Sequence, residues 1–241
     1  MCIILFAFDQ HLDCPLILIA NRDEYYDRPS LAATYWEDAP QIYGGRDLVG
    51  SGTWLGVTKT GRFAAVTNYR DPSTPPRRFS RGGLVADFLI SDQPSERYLE
   101  QIRARSNKYS GFNLLVGEIS NRKSEINYYS NRGTGIKRLE PGIYGLSNHL
   151  LDTPWPKVLR GKERLTCLFK AGETSNDKLF EILLDEHVAK DVDLPSTGLP
   201  YEAEKALSAT FIKTAGYGTR CSTVLKFSRD GEWSFEEKVF V

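Results

Sequence analysis

Two short apolar runs open the chain. CIILFAF at 2–8 and PLILIA at 15–20 are separated by DQHLDC, whose residues favour turns, and runs of this length predict two buried neighbouring strands. TWLGVTKTGRFAAVTN at 53–68 predicts a second hairpin with Thr60-Gly61 at its turn, and FNLLVGEI with EINYYSN a third around SNRKS. At the C-terminal end, CSTVLKFSRDGEWSFEEKVFV predicts a further hairpin, with Asp230-Gly231 suited to a type I′ turn between flanks rich in β-branched and aromatic residues. Helical spacing appears between these strands, over Leu84 to Ile90, Ser95 to Arg105, Lys157 to Phe169 and Asp177 to Val188, with YEAEKALS as a further short helix. Strand pairs alternating with helix pairs predict an α+β fold in which antiparallel sheets are covered by helices. No internal repeat or low-complexity linker divides residues 1–241, so a single domain is expected; the breaker-rich RDPSTPPRRFSRGG reads as a loop over one edge.

Composition narrows the partners. Of 241 residues, 41% are apolar and 26% charged, and 31 Lys plus Arg balance 31 Asp plus Glu, so no net field favours nucleic acid or an anionic membrane. A neutral or small-molecule partner, or one met by a local patch, is expected instead. Cys2, Cys14, Cys167 and Cys221 show no C-x-x-C spacing, which argues against a zinc site or a disulfide framework and for a reducing, cytoplasmic setting. The first apolar run ends at Asp9 and has no basic residues before it, too short for a signal peptide or a membrane span.

Candidate chemistry begins at Cys2. As a small apolar residue it can simply start a buried strand. If Met1 is removed, however, its own α-amine can serve as base for the thiol, and no histidine is needed. In IANRDEYYDRPS the polar Asn21, Arg22, Asp23 and Glu24 follow an apolar strand, either as a surface ion-pair turn or as groups that orient a nucleophile's amine. Asn68 and Arg70 follow the strand ending at Thr67, where an Asn amide can donate to an oxyanion or close an Asx turn. Asn148 and His149 lie in YGLSNHLLDTPWPK, and Arg220 precedes another strand. Arg70, Arg77, Arg78 and Arg81, opposed by Asp71 alone, form either a basic patch for a carboxylate or phosphate or a solvated loop. Trp36 and the Tyr25-Tyr26 pair are pocket or core aromatics. GSGTWLG and GTGIK lack the phosphate-loop pattern.

The stretches MC, NRDE at 21–24, TNYRD at 67–71, YGLSNHLLDTPWPK at 144–157 and GTRCSTV at 218–224 together resemble the NRDE family (transport and Golgi organization 2-like) from end to end and in order. That family is similar at fold level to the N-terminal nucleophile hydrolases with cysteine nucleophiles. The resemblance implies a four-layer αββα sandwich. It also implies Cys2 as nucleophile, Arg22 and Asp23 as groups orienting its amine, Asn68 and Asn148 as the oxyanion hole and Arg220 as electrostatic support. The acylases of that class do not have their Arg and Asp adjacent, as Arg22 and Asp23 are. The expected reaction is hydrolysis of an amide or thioester, for which no cofactor is required. The resemblance implies a competing role as well, non-catalytic binding and trafficking of haem or of lipid and acyl-CoA. The haem-ligand candidates are then His11, His149, His187 and the cysteines, including the Cys14-Pro15 pair.

Overall fold

The computed structural model describes residues 2–75, 77–120 and 124–241. Met1, whose removal the nucleophile reading requires, and most of the SNRKS connection lie outside the described residues. Among the described residues twelve strands run in chain order: β1 (Cys2–Phe8), β2 (Leu16–Tyr25), β3 (Ser30–Tyr35), β4 (Ile42–Asp47), β5 (Leu55–Thr58), β6 (Arg62–Asn68), β7 (Phe112–Ile119), β8 (Ser124–Ser130), β9 (Lys137–Arg138), β10 (Gly142–Leu146), β11 (Tyr217–Phe227) and β12 (Trp233–Val239). The helices are α1 (Gly82–Ile90), α2 (Ser95–Ala104), α3 (Pro156–Lys170), α4 (Asn176–Leu183) and α5 (Tyr201–Ala206).

The strands form two antiparallel sheets, one in the order β10-β1-β2-β11-β12 and the other β3-β4-β5-β6-β7-β8-β9. Side-chain alternation sorts the residues of β1 and β2 into two cores. Ile4, Phe6, Phe8, Leu16 and Leu18 meet Leu55, Val57, Phe63 and Leu115 of the other sheet. Their neighbours Ile3, Leu5, Ile17 and Ile19 meet Leu165 of α3 and Leu179, Phe180 and Leu183 of α4. The seven-stranded sheet buries Ala64, Val66, Leu114 and Val116 against Leu84, Val85 and Phe88 of α1 and Leu99 and Ile102 of α2. The order is thus helices, sheet, sheet, helices, the αββα sandwich expected. Because the runs 2–8 and 16–20 are covered on both faces, they are apolar without alternation.

Several expected boundaries move. The second strand continues through Tyr25, so Asn21, Arg22 and Asp23 are buried inside a sheet and not in a turn beyond it. Helix α4 stops at Leu183 and not at Val188. The Leu183 carbonyl accepts the Asn21 amide at 2.8 Å, and the Asp185 carboxylate caps the His187 N–H at 3.0 Å, which turns the chain out of the helix. In the last hairpin only Gly231 has positive φ (93°), so the turn is not type I′; the Gly231 N–H bonds the Ser228 carbonyl and the Ser228 N–H bonds Glu232, a type I turn closed by a glycine bulge. The strands β3, β4 and β10 carry no long apolar run, and the sequence pattern does not reveal them.

Candidate active site

Cys2 opens β1 at the point where the two sheets meet. In register it lies opposite Arg22 of β2, which in turn lies opposite Cys221 of β11. Beside it is a cleft of about 340 Å³ lined among others by Cys2, Arg22, Asp23, Asn68, Trp54 and Arg81. The segment following β10 fastens the sheets together here. The Ser147 hydroxyl donates to the Cys2 carbonyl at 3.2 Å, the Thr67 hydroxyl to the Ser147 carbonyl at 2.7 Å, and the Asn148 amide to the Asn68 carbonyl at 3.1 Å.

Adjacency of Arg22 and Asp23 separates their surroundings, since neighbours on a strand point to opposite faces. Arg22 lies on the face between the sheets, its guanidinium 4.2 Å from the Trp54 ring centre and its Nη1 bonded to the Ser30 hydroxyl at 3.2 Å. Asp23 turns toward the helical layer, where the Thr219 hydroxyl donates to its Oδ1 at 2.7 Å. Burial pushes the Asp23 carboxyl above its ordinary range, opposed chiefly by the nearby Lys157 ammonium. Burial also pushes the Cys2 thiol up; the Asp23 carboxylate adds to this, whereas the Asp23 N–H donating to the sulfur and the Arg22 charge oppose it.

The six residues implied as catalytic do not all face the cleft. Cys2, Arg22, Asp23 and Asn68 line it, Asp23 with its side chain turned to the helical layer. Asn148 is completely buried behind Asn68. Arg220 occupies the bulge between Thr219 and Cys221, and its guanidinium donates to the carbonyls of Tyr25, Arg28 and Val241. It braces the β2–β3 connection from outside the cleft. Arg70 leaves the expected basic patch altogether: it is buried in an ion pair with Glu204 and stacks 4.6 Å from the Trp155 ring centre, while Asp71 pairs with Arg132 at 3.2 Å. Arg77, Arg78 and Arg81 do line the cleft, with Phe79, so residues 77–82 form part of its rim. Trp36 is core, its Nε1–H bonded to the Gly44 carbonyl at 3.0 Å, and exposed Tyr25 packs on Tyr217. None of His11, His149, His187 or Cys14 lines the cleft; both ring nitrogens of His149 are occupied, by the hydroxyls of Tyr69 and Thr153.

A family model described as Transport and Golgi organisation 2 matches residues 1–241. The chain belongs to that family. It is 38% identical to the transport and Golgi organization protein 2 homolog of Bos taurus over 99% of this chain and 92% of the relative, and 29% identical to the protein of Drosophila melanogaster over the same shares. Among solved structures, a conjugated bile acid hydrolase from Clostridium perfringens superposes with a TM-score of 0.54 at 8% identity, covering 100% of this chain and 97% of that one. The Caenorhabditis elegans ortholog of N-acylethanolamine-hydrolyzing acid amidase gives 0.52 at 12% identity, covering 95% and 93%. At such identities the likeness is one of fold, the layered sandwich that this member of the Transport and Golgi organisation 2 family shares with both hydrolases.

Sequence reasoning passed over Trp54, Thr219 and Lys157. Lys157 left a signal: it falls in the first turn of α3, directly after Pro156, where the helix dipole disfavours a cation.

Proposed function

We propose that the protein is a cysteine N-terminal nucleophile hydrolase acting on an amide or thioester bond of a small or lipid-like substrate. The observation that carries this reading is Cys2 at the start of a central strand, in a cleft it shares with Asn68 and with Arg22 and Asp23. Hydrolysis of the Met1–Cys2 peptide bond frees the α-amine of Cys2, which accepts the thiol proton. The thiolate attacks the substrate carbonyl, and the Asn68 side-chain amide donates to the oxyanion. Collapse of the tetrahedral intermediate breaks the C–N or C–S bond, and the leaving group takes the proton from the α-ammonium. Water then attacks the acyl-cysteine, releasing the acid and regenerating the thiol. Asp23 accepts from the α-amine and Arg22 provides positive charge beside the nucleophile. Asn148 holds Asn68 in place by bonding its carbonyl, and Arg220 supports the site by bracing the strand connection.

Arg77, Arg78 and Arg81 beside Trp54, Val66 and Phe79 suit a substrate with an apolar acyl part and an anionic end. The two solved neighbours are named for hydrolysis of an N-acylethanolamine and of conjugated bile acids, which supports an acyl-bond substrate. Intact-mass measurement of the purified chain is expected to find Met1 absent and to record one acyl adduct with an electrophilic acyl probe, lost in Cys2→Ala. Active protein that retains Met1 would overturn the proposal. If the cleft carries its ligand without turnover, the probe adds nothing and acyl-CoA or haem binds stoichiometrically. A haem held in this cleft would find Cys2 there from among the histidine and cysteine candidates, and a Soret titration of Cys2→Ala reads this.

A further inference from the structure

Lys157 is 3% exposed, and its ammonium makes no hydrogen bond among the described residues. Helix α3 adds to the difficulty: Pro156 and Lys157 stand at its first positions, Trp155 provides no side-chain cap, and the positive end of the dipole faces the charge. Dehydration, the absent hydrogen bond and the dipole all disfavour an ammonium here. A breach of three local rules at one position next to a nucleophile is expected where function requires it.

The surrounding charges show what it offsets. Asp23 of β2 faces Lys157 most strongly; Arg70, beyond β6, repels it, and Cys2 of β1 attracts it when ionised. Tyr217 of β11 faces Asp23, Cys2 and Arg70 from the same side, its hydroxyl bonded to the Asp23 carbonyl at 3.1 Å, and Arg22 and Arg81 act on Cys2 from the cleft. Arg70 is already paired with Glu204, and of the cations that act on Asp23, Lys157 and the N-terminal ammonium, Lys157 has the larger effect.

We infer that Lys157 is a positioning residue of the Cys2 site, a buried cation that faces both Asp23 and the nucleophile and through its charge sets the reactivity of the Cys2 thiol. The inference rests on the nucleophile reading only in taking Cys2 as the reporter. Burial, the dominant effect, pulls the Lys157 ammonium down to about 8, so its charge changes within the working range of a thiol.

The test is the rate of Cys2 alkylation by iodoacetamide against pH, read at the Cys2 peptide by mass spectrometry. In that step the thiolate sulfur forms a bond to carbon and iodide leaves. In Lys157→Met the thiolate loses the attraction of the Lys157 ammonium while Arg22 remains, and the curve is expected to move to higher pH by about one unit, roughly ten-fold slower at a fixed pH below the midpoint. In Lys157→Arg the charge remains and the curve stays near the parent's. A folded Lys157→Met with an unmoved curve overturns the inference, as does an equal shift in both variants, which would indicate packing alone. Should either variant not fold, ¹⁵N-lysine titration of the parent and Asp23→Asn decides: the low-titrating lysine falls further when Asp23 loses its charge, and an unchanged midpoint overturns the inference. Hydrolysis never enters the readout, so a protein that binds without turnover would defeat the proposed function and still report on Lys157.

Discussion

Burying Lys157 weakens the fold, and the cost has a pH signature. The unfolded chain keeps the proton to about the ordinary lysine value of 10.5, whereas the folded chain releases it near about 8. Between those values the unfolded state binds more protons, so this residue makes stability rise with pH. A shift of this size corresponds to about 3 kcal/mol. Denaturant unfolding at pH 7 and pH 10.5 is expected to show the parent gaining on Lys157→Met by about that amount, with no gain between pH 5 and 7, where both states hold the proton. Asp23 behaves in the opposite sense: its raised carboxyl keeps a proton longer when folded, so its contribution is present in acid and fades as pH rises past its folded value. Cys2 is legible as a candidate from the sequence because it follows Met1, whose removal would set an α-amine beside the thiol. That Arg22 and Asp23 lie on opposite faces follows from strand periodicity once β2 is known to continue past Ala20.

The extension of β2 depends on partners contributed by other elements. Asn21 donates to the carbonyls of Leu183 and Thr210 and accepts from Ser222, and Asp23 Oδ1 accepts from Thr219, so these polar side chains of a central strand take hydrogen-bond partners from other elements. Helix α5 is tied to the catalytic end in a comparable way. Glu204 pairs with Arg70 and accepts the Thr197 N–H at 2.9 Å, while the Arg70 N–H donates to the Asn148 carbonyl at 2.7 Å. Removing one member of this buried pair, as in Glu204→Gln or Arg70→Met, is expected to cost about 3–5 kcal/mol. The double variant should recover most of that loss, because no uncompensated charge remains, and a double-mutant cycle by thermal or denaturant unfolding measures the coupling. A short amphipathic helix is evident from YEAEKALS alone, but the partner of its Glu204 is not, since Arg70 lies 134 residues away.

At the scale of the molecule, the cleft exists because two sheets stack and their edges are pinned by residues 147 and 148. Phe63 stands in that interface, fully buried, its ring 5.8 Å from that of Phe227 across the sheets. Phe63→Ala is expected to cost about 3–5 kcal/mol in denaturant unfolding. Because the cleft is built from both sheets, Cys2 labelling should lose its selectivity in the same transition that releases the sheets. The likeness to the two solved hydrolases is a likeness of this layered scaffold, and sites can be lost while a scaffold persists. The intact-mass and acyl-probe measurements on Cys2 therefore test whether this scaffold carries a reactive N-terminal nucleophile.

The sequence by itself determined the buried strands 2–8 and 16–20, the helix pairs, the α+β class and the family, because these rest on local periodicity and on motifs in linear order. The tertiary structure decided which polar residues meet. It sent Arg70 inward to Glu204, set Asn148 behind Asn68, turned Arg220 out of the cleft and buried Lys157 against Asp23. None of these is encoded in a local period. Each depends on two elements far apart in the chain being brought to one face, where removing water raises the cost of an unmatched charge enough to select its partner.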